Sequence, residues 1–217
     1  MSKLVLLILI FFSSCASLVT DDLKNKDIPQ LLKALRGQGE GRGRLGLADQ
    51  KYNFNFEAIL NEQQDWILAV SIPFHGEEIL KFKNLSQNSV NAYGHQAFER
   101  RIETGIKNYL IQTGESSQLA GLFMNELRSI VRLMLYQELG LNIKYQADGH
   151  LELDQIYQVE KKNGALFIKK KIGFNHEIVL KAYNLTDSFF QRTDIFFFSD
   201  KSAKKQTSIL SLELFWN

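Results

Sequence analysis

Large apolar side chains alternate with polar ones along three consecutive segments near the start of the chain, and this pattern constrains the fold more than any other feature. The segments span 51–60, 66–74 and 79–83, with turn-like residues between them. A period of two is typical of β-strands that bury one face and leave the other in water. We therefore expect three meander strands with one shared apolar face, formed by Phe54, Phe56, Trp66, Leu68, Val70, Leu80 and Phe82.

The rest of the chain adds helices in the middle and further strands at the end. The apolar spacing predicts helices over 28–36, 97–112 and 119–140. The last third predicts strands and contains a hairpin signal at Asn163-Gly164. We expect an α+β fold, in which helices cover or fill the concave face of a curved antiparallel sheet, or half-barrel, of about eight to eleven strands.

The glycine-rich stretch over 37–44 is open to two interpretations. A glycine loop that cradles phosphate follows a strand and begins a helix. This stretch does the opposite, because it follows the predicted helix over 28–36 and precedes strands. We interpret it as the start of a strand in which missing Cβ atoms allow close approach.

The segment 119–140 has the spacing of an amphipathic helix. Its apolar stripe includes Leu119, Phe123 and Leu127, while Arg128 and Arg132 are assigned to the opposite, polar side together with Asn125 and Glu126. The pattern favours a helix packed on the sheet by its apolar side. A lid or a membrane-surface helix is the alternative.

Residues 1–15 carry a targeting signal. A positive charge at Lys3 precedes an apolar run over 4–12, and Ser13-Ser14 precede Cys15. The run is too short for a helix across about 30 Å of hydrocarbon, which takes roughly 20 residues, but it fits a secretory signal. Its end is similar to the lipobox of bacterial lipoproteins. We predict a signal peptide over 1–14, lipidation of Cys15, a lipidated tether over 15–27 and a single domain over 28–217.

The anchor prediction has a consequence for localisation. Several acyl chains hold a protein on a bilayer stably, at ~0.8 kcal/mol for each buried CH₂ group. Ala16 follows Cys15, where Gram-negative lipoproteins that stay in the inner membrane carry Asp. We therefore expect the periplasmic face of the outer membrane. The alternative is an ordinary signal peptide with an incidental cysteine.

No catalytic motif stands out in the sequence. The chain has 26 Lys and Arg against 24 Asp and Glu, so bulk charge does not favour nucleic acid as a partner. The four histidines are far apart and lack metal-pair spacing. The segment 148–154 places His150 near three acids, which we interpret as a solvated edge, with a metal or acid-base site as the alternative. We expect no catalytic residue, no metal and no cofactor besides the acyl chains on Cys15, and thus no enzyme.

The first sheet carries a resemblance to a known family. Gly43-Arg44-Leu45, the aromatic strand from Tyr52 to Phe56 and the segment from Trp66 to Phe82 resemble the LolA/LolB family of outer-membrane lipoprotein localisation proteins, and its LolB branch most closely. The resemblance covers roughly 28–83. It implies a protein that binds the acyl chains of lipoproteins, receives them from a periplasmic LolA-like carrier and inserts them into the membrane. It also implies that the turn at Pro73-Phe74 is the membrane-insertion loop.

The apolar sheet face has two possible uses. It can leave a groove for acyl chains, since burial alone supplies about 25 cal/mol for each Å² of apolar surface. Alternatively, the helices fill it completely, and the chain is a structural or interaction lipoprotein of the cell envelope without a ligand. The basic residues at 161–162 and 169–171 are either a solvated hairpin edge or a contact for anionic headgroups.

Overall fold

Eleven strands pair into one open antiparallel sheet, and three helices accompany it in the part of the chain that the structure describes. This computed structural model describes residues 27–47, 50–72, 76–87, 97–112, 114, 116–173, 175–199 and 207–217. The signal peptide over 1–14, Cys15, the tether up to residue 26 and the Pro73-Phe74 turn lie outside the described residues. The helices are α1 (Ile28–Lys33), α2 (Ala97–Gln112) and α3 (Leu119–Met134).

The strands follow the alternating and β-branched segments of the sequence. In chain order they are β1 (Gly39–Leu47), β2 (Gln50–Leu60), β3 (Trp66–Ile72), β4 (Gly76–Phe82), β5 (Lys144–Tyr145), β6 (His150–Glu152), β7 (Ile156–Lys162), β8 (Ala165–Ile172), β9 (His176–Leu185), β10 (Phe190–Ser199) and β11 (Thr207–Trp216). The expected α+β class with a mainly antiparallel sheet is therefore confirmed.

The strand order joins the two ends of the chain. It runs β4-β3-β2-β1-β11-β10-β9-β8-β7-β6-β5, so the first and last strands are neighbours in the middle of the sheet. Their register pairs Gly41 with Trp216 and Leu47 with Leu210. Because strands so distant in sequence meet at the centre, the sheet is completed only when β11 is in place.

Turn and cap chemistry explains several element boundaries. The β7–β8 hairpin turns at Asn163 and Gly164, whose φ angles of 52° and 70° are the positive values that a two-residue type I′ turn requires. Helix α1 has Pro29 in its first turn, and Asp27 precedes it in extended conformation without a side-chain cap bond. Among the described residues, none of the helices has the length and apolarity needed to cross a bilayer.

The glycines of β1 make room for aromatic rings. Register places Gly43 opposite Phe54 and Gly41 opposite Phe56. A Cβ atom at Gly43 would clash with the Phe54 ring, and one at Gly41 would clash with the backbone oxygen of Phe215. The stretch is therefore a central strand that closely approaches its neighbours, which agrees with the strand interpretation.

Helix α3 is shorter than the sequence indicated. It ends at Met134, and turns occupy 135–140. More of its positions are buried than one apolar stripe would place in the core, because every residue from Leu127 to Leu133 is buried. The helix therefore lies deep in the core and has no continuous solvent face.

Candidate functional site

The seven apolar side chains assigned to the site share one face of β2, β3 and β4. Register pairs Phe56 with Val70 and Trp66 with Phe82, so side chains from adjacent strands touch. The Trp66 and Phe82 rings are stacked, with centroids 5.9 Å apart and planes 14° apart. The structure thus brings all seven residues together on the inner face of the sheet, the face that the helices contact.

Trp66 contributes a hydrogen-bond donor to this apolar face. Its indole nitrogen donates a 2.7 Å hydrogen bond to the backbone oxygen of Gly37, just after α1. An indole N–H that is buried without a partner costs free energy, so this bond satisfies Trp66 inside the core. It also ties the segment between α1 and β1 to β3.

Protein atoms cover the inner face almost completely. The exposed fractions are 3% for Phe54, 4% for Phe56, 1% for Trp66, 0% for Leu68, 1% for Val70, 1% for Leu80 and 0% for Phe82. These side chains belong to one core cluster with Ile102 and Ile106 of α2 and Phe123 and Leu127 of α3. In this arrangement, the seven residues contact protein rather than solvent.

Two contacts show how the helices meet the sheet. The Phe123 ring of α3 lies 4.9 Å from the Phe197 ring of β10. On α2, a Cβ atom at Gly105 would lie 3.0 Å from the Leu47 side chain of β1, so the missing side chain permits close packing. Both helices therefore lie on the face that also carries the aromatic residues of β2 to β4.

Arg128 and Arg132 are buried, which corrects their assignment to a solvent-exposed side of α3. Each is 3% exposed. Arg128 donates hydrogen bonds to the backbone oxygens of Lys83, Asn84 and Gln87 at 2.7, 2.8 and 3.1 Å. A buried guanidinium is tolerated only where its donors are satisfied, and backbone oxygens at the end of β4 satisfy them. Burial and the Arg132 charge lower the Arg128 pKa to about 10, so the group stays charged at neutral pH.

A second set of polar contacts fastens α3 to the other half of the sheet. Arg132 donates a 3.1 Å bond to Asp154, in the bend between β6 and β7. Lys170 points to the inner face of β8 and lies 2.5 Å from Glu126 of α3, and it also contacts Gln155. The sequence interpretation placed Arg132 and Glu126 on the polar side of the helix, and Lys170 on a solvated hairpin edge or at headgroups, and it did not pair them. The position of Lys170 on the buried face of an alternating strand was the signal that could have indicated a partner inside.

The acidic segment over 148–154 does not form a site. Only His150–Glu152 is a strand, so the segment does not align its charged side chains on one strand face, and Asp148, His150 and Glu152 are exposed. Asp148 bonds His150, and these hydrogen bonds hold the Asp148 pKa below its usual value. Asp154 turns away toward Arg132. No group of three or more histidine, cysteine, aspartate or glutamate side chains suited to a metal ion occurs in the described part of the chain.

The remaining assigned positions, Cys15, Pro73 and Phe74, lie outside the described residues. The structure therefore supplies a buried aromatic sheet face, two helices in contact with that face and a set of polar contacts between α3 and the sheet. Comparison of the chain with family models, with curated proteins and with solved structures gives no match.

Proposed function

We propose that this chain is a lipid-anchored protein of the outer membrane that binds acyl chains and receives or inserts lipoproteins, as the resemblance to the LolA/LolB family implies. One observation carries the proposal. An open antiparallel sheet presents a continuous aromatic face, and helices cover that face instead of a second sheet. In the proposal, the sheet is a half-barrel and α2 and α3 occupy its concave side.

Acyl-chain binding requires the helical cover to move. The seven aromatic and aliphatic side chains are at most 4% exposed, so an acyl chain reaches them only by displacing α3 or α2. Burial of the chain then replaces the lost contacts at about 25 cal/mol for each Å² of apolar surface. No polar recognition is needed, which accounts for a function without catalytic residues.

The polar contacts that hold α3 on the sheet are suited to a helical cover that opens as a unit. They are a few charge-assisted hydrogen bonds from Arg128 and Arg132 to a loop and a bend, added to apolar packing. Apolar packing tolerates exchange of one hydrocarbon for another, whereas a guanidinium must keep its acceptors or reach water. The arginine bonds therefore add to the free energy that opening costs.

The anchor and the turn complete the proposed cycle. Acyl groups on Cys15 would hold the domain at the periplasmic face of the outer membrane, with residues up to 27 as tether. A LolA-like carrier would deliver the lipoprotein. The Pro73-Phe74 turn would place an apolar side chain in the bilayer while the acyl chains leave the sheet.

A fluorescent fatty acid whose emission rises in an apolar environment tests the binding step. The purified full chain should bind the probe at micromolar concentration, and Arg128→Met should bind it more tightly because the cover opens at lower cost. Arg100→Met is the matched control, since Arg100 is an exposed arginine of α2. Absence of probe binding by the wild type and by Arg128→Met would reject the proposal.

A structural or interaction lipoprotein of the envelope is the second candidate. The observation that favours it is the near-complete burial of the seven inner-face side chains by the protein itself. In that case Arg128→Met destabilises the fold but creates no probe binding. The same titration therefore separates the two functions.

A further inference from the structure

The sheet face opposite the helices carries a ladder of aromatic and cationic side chains. Register places Tyr183, Arg192, Phe215 and Arg42 side by side on four adjacent strands, from β9 to β1. The Arg192 guanidinium carbon lies 4.9 Å from the centre of the Tyr183 ring and 4.6 Å from that of Phe215. Such contacts are cation–π interactions, which hold the rings and the charges in fixed positions.

The ladder continues onto β8. The Lys181 ammonium lies 4.5 Å from the Tyr183 ring and 5.2 Å from the Phe167 ring. We call these six residues, Phe167, Lys181, Tyr183, Arg192, Phe215 and Arg42, the aromatic–basic face. The rings of Phe167, Tyr183 and Phe215 are half-buried, so this face combines partly exposed aromatic rings with charged groups.

Two clefts flank the ladder on the same side of the sheet. One, of about 280 Å³, lies between Phe167, Phe196 and Phe198 and is bordered by Lys169 and Lys181. The other, of about 530 Å³, is bordered by Arg42 and Arg44 beside Phe215. Each cleft thus combines an apolar wall with two cations, although Glu177 also borders the smaller one. Some of these cations have carboxylate partners: Lys169 pairs with Glu160 and Arg44 with Glu213. Arg192 of the ladder likewise pairs with Asp194 and Glu213, so Lys181 and Arg42 are the principal cations offered to a ligand.

The clefts on this side of the sheet differ in the charge of their borders. At the β2–β4 end, a cleft of about 260 Å³ is bordered by Glu57 and Glu77 instead of cations. Exposed aliphatic side chains occur there as well, with Ile59 at 42% and Ile79 at 41%. The outward side therefore has an aromatic part with more cations and an aliphatic part, called the acidic part, whose cleft is bordered by Glu57 and Glu77.

We propose that the aromatic–basic face docks on an anionic phospholipid surface. Amphipathic aromatic side chains such as Tyr183 favour the headgroup region of a bilayer, and Lys and Arg side chains near the surface are attracted to anionic lipids. The two clefts are suited to headgroup phosphates, because each offers cations beside an apolar wall. Ile59 and Ile79, beside Glu57 and Glu77, are expected to contact the bilayer less than the aromatic–basic face does. This inference stands apart from acyl-chain binding, which uses the opposite face.

Brominated lipids test the orientation, because they quench tryptophan on contact. The full chain carrying Phe198→Trp is mixed with vesicles of phosphatidylglycerol and brominated phosphatidylcholine, and Ile59→Trp on the acidic part is the matched control. Wild-type emission supplies the background of Trp66 and Trp216, which are buried. We expect quenching at position 198 about twofold stronger than at position 59, lost with phosphatidylcholine alone and weakened by salt.

Lysine footprinting with an amine-reactive reagent supplies a readout on the wild-type chain. Anionic vesicles should protect Lys181 and Lys169, while exposed Lys83, at the end of β4, reacts as before. Lys181→Gln in the Phe198→Trp chain should reduce the quenching. Equal quenching at positions 198 and 59, quenching independent of lipid charge, or unchanged lysine reactivity overturns the proposal. Protection of Lys181 and Lys169 in the absence of vesicles, caused by a bound protein, overturns the proposal as well.

Discussion

Arg128 and Arg132, one turn apart on α3, donate hydrogen bonds to the same backbone oxygen, that of Gln87, at 3.1 and 3.0 Å. Two positive charges so close together repel each other, and the Arg132 charge contributes to lowering the pKa of Arg128. The carbonyl oxygens and Asp154 offset this repulsion. The arginine pair thus fastens α3 to the loop after β4 and to the bend before β7.

Loss of Arg128 should destabilise the fold. Arg128→Met keeps much of the side-chain volume but removes three hydrogen bonds to backbone oxygens, of which the Gln87 oxygen keeps Arg132 as a donor and the Asn84 oxygen keeps the Gln87 N–H. We therefore expect a loss of about 2–4 kcal/mol in the free energy of unfolding. Urea denaturation of the full chain measures it. Arg100→Met, at an exposed position, should stay within about 0.5 kcal/mol of the wild type. Equal effects of the two substitutions would show that the hydrogen bonds of Arg128 contribute nothing.

A matched pair of glycine substitutions tests the packing of β1 against β2. In Gly43→Ala the new methyl group meets the buried Phe54 ring, so we expect destabilisation of roughly 1–3 kcal/mol. In Gly121→Ala, on α3, nothing lies within 4 Å of the new Cβ atom, so the better helix former should stabilise the fold by up to about 1 kcal/mol. Thermal unfolding of both variants gives the comparison, and a neutral Gly43→Ala would contradict the register described here.

The buried carboxyl of Asp194 should make stability depend on pH. Burial raises the pKa of Asp194 to about 8, and the Glu213 carboxylate adds to the rise. With that pKa, the native state would keep a proton between about pH 4 and pH 8 that the unfolded chain, with a pKa near 3.8, has released. Stability is fully present below the unfolded pKa and falls as pH rises from about 4 toward 8.

Denaturation of the wild type and of Asp194→Asn at pH 5 to pH 8 checks this dependence. The variant should lose most of the slope, while Asp187→Asn, on an exposed turn, serves as the control. Arg192 donates hydrogen bonds of 2.9 Å to both Asp194 oxygens, which favours the ionised form. A wild-type profile without slope would mean that Arg192 keeps the carboxyl ionised throughout.

The Pro73-Phe74 turn should act in transfer and not in folding. We expect Phe74→Glu to abolish insertion of a lipoprotein into vesicles, because a carboxylate is costly to bring into hydrocarbon. The melting temperature should stay that of the wild type. Transfer from a loaded donor to vesicles measures the first effect and circular dichroism the second. Unfolding of Phe74→Glu would instead assign Phe74 to the core.

The strands and one helix were predictable because local patterns determine them. The alternation over 51–60 reflects one buried and one exposed face, and Asn163-Gly164 has the backbone freedom that a two-residue turn needs. Helix α2 has the predicted bounds, Ala97–Gln112. Each of these features depends on neighbours within a few residues, which a single sequence displays.

Features that depend on distant partners were not predictable. Charge spacing assigned Arg128 to solvent, because its acceptors lie 41 to 45 positions earlier in the chain. Alternation likewise assigns Asp194 to the outward face, yet its side chain is buried beneath Arg192. The extent to which helices cover Trp66 and its neighbours depends on packing between remote elements. The sequence alone therefore did not decide between a groove for acyl chains and a filled core.

Photolabelling with a diazirine-bearing fatty acid is the most direct test of acyl-chain binding by the inner face. The full chain is irradiated with the bound probe, digested and mapped by mass spectrometry. We predict labels on the peptides that contain Phe54, Trp66 and Leu68, and competition by unlabelled fatty acid. Labels confined to the exposed residues of the sheet and helices, or absent altogether, would contradict an acyl-binding function and leave a filled, lipid-anchored domain.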